Sequence, residues 1–452
     1  MNLLDSLFRW PAVDAVFSDS ATLQGMLDFE SALALAESRA GVFSSASASA
    51  IGANCKAELF DHAALSQNAA RAGNLAIPLI KQLTALVAKK DKEAARFVHW
   101  GATSQDAIDT GRILQLRQAF DLLAQDLEAL AESLATLAEQ HRATLIAGRT
   151  WMQHALPTTF GVKVAGWLDA LLRHRARLEE TRDRCLVLQF GGAVGTLAAL
   201  GNKGPEVAGA LATELKLALP QLPWHSHRDR MAEVGTTLGM LVGTIGKIAR
   251  DVSLHMQTEV AEIFEPAEEG RGGSSTMPHK RNPVSCAVML SAALRVPSLV
   301  ASLLSVMMQE DERGLGGWQD EWEVLPEIVQ LSGGALHQLT TIAPKLEVDV
   351  ERMKKNLELT DGLIYAEAVS MALADKISRA DAHEIVQAAC SRALREKRNL
   401  RAVLSGDPKV AAQLSAADLD RLFDPRKYLG AAEEYVQGVV SASRGRISTR
   451  KE

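Results

Sequence analysis

Between Ile113 and Leu137 the chain sets Ile113, Leu116, Phe120, Leu123, Leu127, Leu130, Leu134 and Leu137 at steps that alternate three and four. That alternation is the seam of one long helix packing on other long helices, and it excludes a β architecture for this stretch. Further helical runs are expected over about 158–188, 228–264 and 284–309, each well beyond the average globular helix of about 11–12 residues. Several such helices in series imply an elongated central bundle. Convincing strand alternation is scarce, and no repeat of solenoid spacing is present.

The chain has 452 residues, 47 % of them hydrophobic, which suffices for a large core. Aromatic residues supply only 5 %, so that core must be mainly aliphatic. Turn signals become frequent after about Val350, at Asp361-Gly362, Gly406-Asp407-Pro408 and Asp424-Pro425. The reading is an all-α protein: an N-terminal helical domain over 1–111, a long-helix bundle over 112–350, and a C-terminal helical domain over 351–452.

A formal charge of -6 argues against a nucleic-acid partner. Cys55, Cys185, Cys286 and Cys390 lie far apart without a CxxC pair, so reduced thiols are expected rather than disulfides or zinc. The N-terminus lacks a signal-peptide pattern, and no apolar run reaches bilayer length on this reading. These features point to a cytoplasmic protein with no membrane association.

Three polar stretches precede long helices: His99–Asp106, Arg149–Pro157 and Gly272–Pro283. Thr103 or Ser104 is a candidate N-cap, as is Asn282 with Pro283 at the first helical position. Capping does not account for the Lys, His and Arg residues beside them. Helix N-termini favour anions, so three converging ends would suit a multiply charged carboxylate. Glycines at 270, 272 and 273 make the third stretch a mobile lid. A serine there, with Lys280 six residues beyond Ser274, is a candidate for ionisation. His225 and His227 form an HxH pair without a carboxylate at motif spacing, so no metal is expected. Arg228 and Arg230 suit an anion or an acidic partner helix.

The segment Gly273-Ser-Ser-Thr-Met-Pro-His-Lys-Arg-Asn-Pro283 resembles the GSSxMPxKxNP signature of the fumarase/aspartase superfamily. Thr103–Asp106 and Arg149–Pro157 resemble its other two active-site regions, in the same order. Phe97–Asp106, Gly148–His154, Gln189–Ala199 and Trp224–Arg230 are similar to the lactone-forming branch, whose members close a carboxymuconate during protocatechuate breakdown. The resemblance implies a cofactor-free homotetramer, with active sites shared between subunits and a small tricarboxylate as substrate. It implies Ser274, Lys280, Asn282 and His154 as catalytic residues. Thr103, Ser104, Arg149, Trp151, Gln153, Ser275, Met277 and Arg313 would line the substrate.

One departure discriminates among members. Lyases of this superfamily carry a histidine as general acid where this chain has Trp151. In lactone closure read backwards, the leaving group is a carboxylate with a pKa near ~4, which departs unprotonated. An amine or hydroxide needs an acid. Trp151 therefore favours a cyclase over an adenylosuccinate lyase-like enzyme. An intact Ser274, Lys280 and Asn282 set argues against the third reading, a crystallin-like structural protein.

Overall fold

The computed structural model describes residues 3–448 except Glu269, Ser274, Ser275 and Pro278, without the side chains of 446–448. Nineteen α-helices and four short strands make up the described chain, so the helical expectation holds. Five helices are long: Ser104–Gln140, Phe160–Cys185, Asp229–His255, Val284–Ser305 and Gly317–Ile342. Every residue of the Ile113–Leu137 seam is buried. Aliphatic side chains at that spacing cover one helix face, and burying it is what stabilises a helix of this length.

Two compact units form, and the chain passes between them several times. The first comprises residues 1–127, 173–246 and 288–338; the second comprises 128–172, 247–287 and 339–452. In the first unit the helices Asp19–Arg39 and Ser104–Gln140 cross at Gly25 and Gly111. A Cβ on Gly25 would sit 2.9 Å from the Gly111 carbonyl oxygen, and one on Gly111 the same distance from the Met26 nitrogen. Only paired glycines allow backbones so close. In the second unit Val369, Leu373, Ala382, Val386, Leu400 and Leu404 gather into one aliphatic cluster.

Three local expectations need correction. Arg149–Pro157 is not an irregular loop but most of a hairpin, Leu145–Thr150 with Gln153–Thr159. Its tip places Trp151 and Met152 at φ 51° and 66°, left-handed conformations normally filled by Asn or Gly, so local sequence gave no turn signal. The third helix ends at His255 instead of continuing to Phe264. The Glu262 N–H closes back on the His255 carbonyl, and Ile263–Phe264 then pairs with Glu347–Val348. Tertiary pairing overrides helical periodicity there. Finally, the 22-residue helix Val284–Ser305 contains an 18-residue window with a mean hydropathy of 1.8 and is, by length and composition alone, long and apolar enough to cross a membrane. In the sequence, Arg295 and Pro297 interrupt the apolar run.

Candidate active site

Asp106 organises the first polar stretch. Its carboxylate accepts hydrogen bonds from the backbone N–H groups of Thr103 (3.0 Å), Gly191 (3.0 Å) and Gly192 (2.9 Å), and pairs with His225 Nε2 at 2.7 Å. Three residues beyond Thr103, Asp106 occupies the position of a capping-box acid and reaches back to the cap nitrogen. Only this half of a capping box is formed. Neither the Thr103 nor the Ser104 hydroxyl makes a hydrogen bond among the described residues, and both stay available. His99, just upstream, has φ 59° and is held by Glu30 at 2.6 Å. Burial lowers the His99 pKa, but the charge and hydrogen bond of Glu30 outweigh it, and the net shift is upward.

Beside this hub lies a fully buried ion cluster. Arg228 contacts Asp109 at 2.7 Å and Glu321 at 2.5 Å, and the Trp318 indole donates to Asp109. Arg228 therefore serves acidic partner helices, one of the two roles its sequence allowed. Gln105 donates its amide to Asp109 and to the His225 carbonyl, which leaves its oxygen to accept from Arg313 Nε at 3.0 Å. The first unit accordingly brings Thr103, Ser104 and Arg313 to one place.

In the second unit, Glu262 holds the hairpin. Its buried carboxylate accepts from Arg149 Nη1 (3.0 Å) and Nη2 (2.7 Å), His255 Nδ1 (2.7 Å) and Asn356 Nδ2 (2.7 Å). Burial opposes its ionisation, but the hydrogen bonds from His255, Arg149 and Asn356 outweigh that and hold its pKa at about 2. Arg149 is thereby committed to a protein carboxylate. His154 is different: its Nδ1 is buried without a hydrogen-bond partner. Burial first, then the charge of Arg149, lowers its pKa, so the ring is neutral near pH 7. Trp151 is 97 % exposed, and Gln153 is exposed beside it.

The third stretch is pinned at its ends. The Asn282 N–H donates to the Gly272 carbonyl at 2.9 Å, and a Cβ on Gly272 would lie 2.6 Å from the Asn282 carbonyl oxygen. Arg281 binds Glu347 and stacks over Phe264. Ser274 and Ser275 lie outside the described residues. Met277 is exposed, as is Lys280, whose ammonium makes no ion pair among the described residues. Asn282 is not the helix cap. The Glu265 carboxylate accepts the N–H groups of Ser285 (3.1 Å) and Cys286 (2.8 Å) instead, freeing the Asn282 amide. The second helix start is closed too: Phe160 and Gly161 donate to the Thr144 and His141 carbonyls, and Val162 to Thr159. Two of the three helix ends are therefore not open anion sites.

His225 is buried on Asp106 while His227 is exposed, so the HxH pair is split between two environments. No group of three metal-ligating side chains occurs among the described residues. Cys55, Cys185 and Cys286 are buried free thiols, and Cys390 is a partly exposed one. Sequence reading passed over Asp106, Glu262 and Glu265 as organisers. The Thr103–Asp106 spacing was a usable signal for the first; nothing local marked the other two.

A family of lyases matches residues 9–298, and the adenylosuccinate lyase C-terminus matches residues 362–439. The chain belongs to the fumarase/aspartase superfamily of lyases. It is 57 % identical over 435 residues to 3-carboxy-cis,cis-muconate cycloisomerase of Pseudomonas aeruginosa, covering 96 % of this chain and 95 % of that one. Among solved structures, 3-carboxy-cis,cis-muconate lactonizing enzyme from Pseudomonas putida superposes with a TM-score of 0.93 at 53 % identity, over 98 % of this chain and 99 % of that one. The β-carboxy-cis,cis-muconate cycloisomerase from Acinetobacter calcoaceticus gives 0.92 at 42 % identity, over 98 % and 100 %.

Proposed function

We infer that this enzyme is a cycloisomerase that closes 3-carboxy-cis,cis-muconate to a carboxymuconolactone. The observation that carries the reading is identity above half with a muconate cycloisomerase over nearly the whole of both chains. Trp151 at the hairpin tip adds chemical support, because no acid stands there to protonate an amine or hydroxide leaving group.

One substrate carboxylate attacks the alkene carbon, forming the ring C–O bond. The displaced electron pair moves toward a second carboxylate as an enediolate-like intermediate. Lys280 and Asn282 stabilise that charge, each well-placed donor contributing roughly 3–4 kcal/mol. Ser274 delivers the proton to the adjacent carbon; His154 is the alternative donor. The lowered pKa of His154 leaves little imidazolium near neutral pH, which favours Ser274 as donor and His154 as an orienting group. Thr103, Ser104, Gln153 and Arg313 hold the remaining carboxylates, and Met277 and Ser275 line the lid. Arg149 acts through the Glu262 contact that fixes the hairpin.

The working form is a cytoplasmic homotetramer whose sites are shared between subunits, and no cofactor takes part. Support comes from a hairpin tip carrying two exposed apolar residues in an unfavourable backbone conformation, a feature that makes sense when another surface covers it. Purified, chelator-treated protein should abolish the ultraviolet absorbance of 3-carboxymuconate. Inertness toward it, together with turnover of adenylosuccinate, would overturn the assignment. Mixing Lys280→Ala with Thr103→Ala subunits should restore part of the activity if sites are shared.

A further inference from the structure

Just ahead of Thr103 the chain makes a turn that its local sequence does not favour. His99 has φ 59° and Gly101 φ 72°. Glycine is required at the second position, where a Cβ would stand 2.7 Å from Leu200 Cγ. Histidine at the first is strained, and such a conformation persists only where the surroundings impose it. After the turn, Asp106 accepts the Thr103 N–H at 3.0 Å. Before the turn, the hold comes from Glu30.

Glu30 is 1 % exposed on the Asp19–Arg39 helix, and its one hydrogen bond among the described residues is from His99 Nδ1, at 2.6 Å. Its Oε2 is buried without a partner. A carboxylate so placed costs stability, and the aliphatic core around it has no use for one. Burial, then the charge of Glu30, raises the pKa of Glu37 two turns along the helix and of the Cys55 thiol, so both are neutral near pH 7. The pocket's negative charge therefore rests on Glu30, with the imidazole as its counter-ion. Asp106, the other carboxylate acting on the ring, is already engaged by His225 and three backbone N–H groups. His99 Nε2 makes no hydrogen bond among the described residues, so Glu30 alone sets the ring's orientation.

We propose that Glu30 is a positioning residue for the cycloisomerase reaction: by pairing with His99 it holds the left-handed turn that presents the Thr103 and Ser104 hydroxyls to a substrate carboxylate. This role rests on the functional reading above. The imidazolium makes the stronger, charge-assisted bond to Glu30, and that form is lost as pH rises through the raised pKa of His99.

Steady-state kinetics with 3-carboxymuconate across pH, on the full chain, test the assignment. Glu30→Gln should raise KM by ~10-fold while kcat stays within ~3-fold, because the substrate is held less well and the reacting groups are untouched. Without the carboxylate, burial acts on the imidazole with less opposition, so the alkaline limb of kcat/KM should move to lower pH. His99→Ala should raise KM at least as much. His99→Asn should recover KM to within ~3-fold of wild type and lose the limb, because its amide donates to Glu30, tolerates the turn and does not titrate. Glu30→Gln is isosteric and Asn suits the backbone, so both should fold, which unfolding midpoints verify. A Glu30→Gln enzyme with wild-type KM and an unmoved limb overturns the proposal. So does a His99→Asn enzyme as impaired as His99→Ala, since the ring itself would then be the substrate contact. A wild type inert toward 3-carboxymuconate at every pH instead defeats the functional reading, and this role with it.

Discussion

Two polar regions, one in each unit, are built on opposite principles. Around Asp106, Asp109 and Arg228 in the first unit, nearly every buried polar group is spent on another. On the hairpin tip and signature stretch of the second, the His154 Nδ1, the Lys280 ammonium and the Asn282 amide have no protein partner among the described residues. A satisfied network fixes geometry; donors left unspent are what a site offers to a ligand. The lesson is that burial and pairing, more than residue type, separate scaffold from chemistry.

Breaking the scaffold should cost stability. Arg228→Met leaves Asp109 and Glu321 buried and uncompensated, an expected loss of about 3–5 kcal/mol in denaturant unfolding. Breaking the open cluster should cost turnover alone. Lys280→Ala is expected to lower kcat by about 10²–10³, equivalent to about 3–4 kcal/mol of transition-state stabilisation, with an unchanged Tm. If it instead shifts the midpoint as Arg228→Met does, the contrast between the regions fails.

Glu37 sharpens the comparison from the scaffold side. It is fully buried in the first unit with both carboxyl oxygens unpaired, and burial, with Glu30 nearby, raises its pKa to about 9. A raised folded-state pKa gives stability that is complete below the unfolded value and is lost as pH rises through about 9. Glu37→Gln should flatten the decline of stability between about pH 4.5 and 9, read from unfolding midpoints. The smallest effect belongs to Asn282→Ala. Because Glu265 supplies the helix cap, stability should change by less than about 0.5 kcal/mol, while kcat/KM still falls. A capping-sized loss of about 1 kcal/mol would return Asn282 to the scaffold.

Much was legible without coordinates. The three-four seam at Ile113–Leu137 determined the helical class, because that spacing buries an aliphatic stripe only as a helix. The eleven residues from Gly273 to Pro283 determined the superfamily, because their types and order are constrained by chemistry rather than by packing. What the tertiary structure decided are the partnerships across long sequence gaps. Arg149 with Glu262, Asp106 with Gly191 and His225, and Glu265 with the start of the Val284–Ser305 helix are separated by 113, 85, 119 and about 20 positions. No local propensity encodes which distant carboxylate meets which donor. Only the folded path of the chain brings them within hydrogen-bonding distance, and that is why Asn282 reads as a cap in sequence and is not one in space.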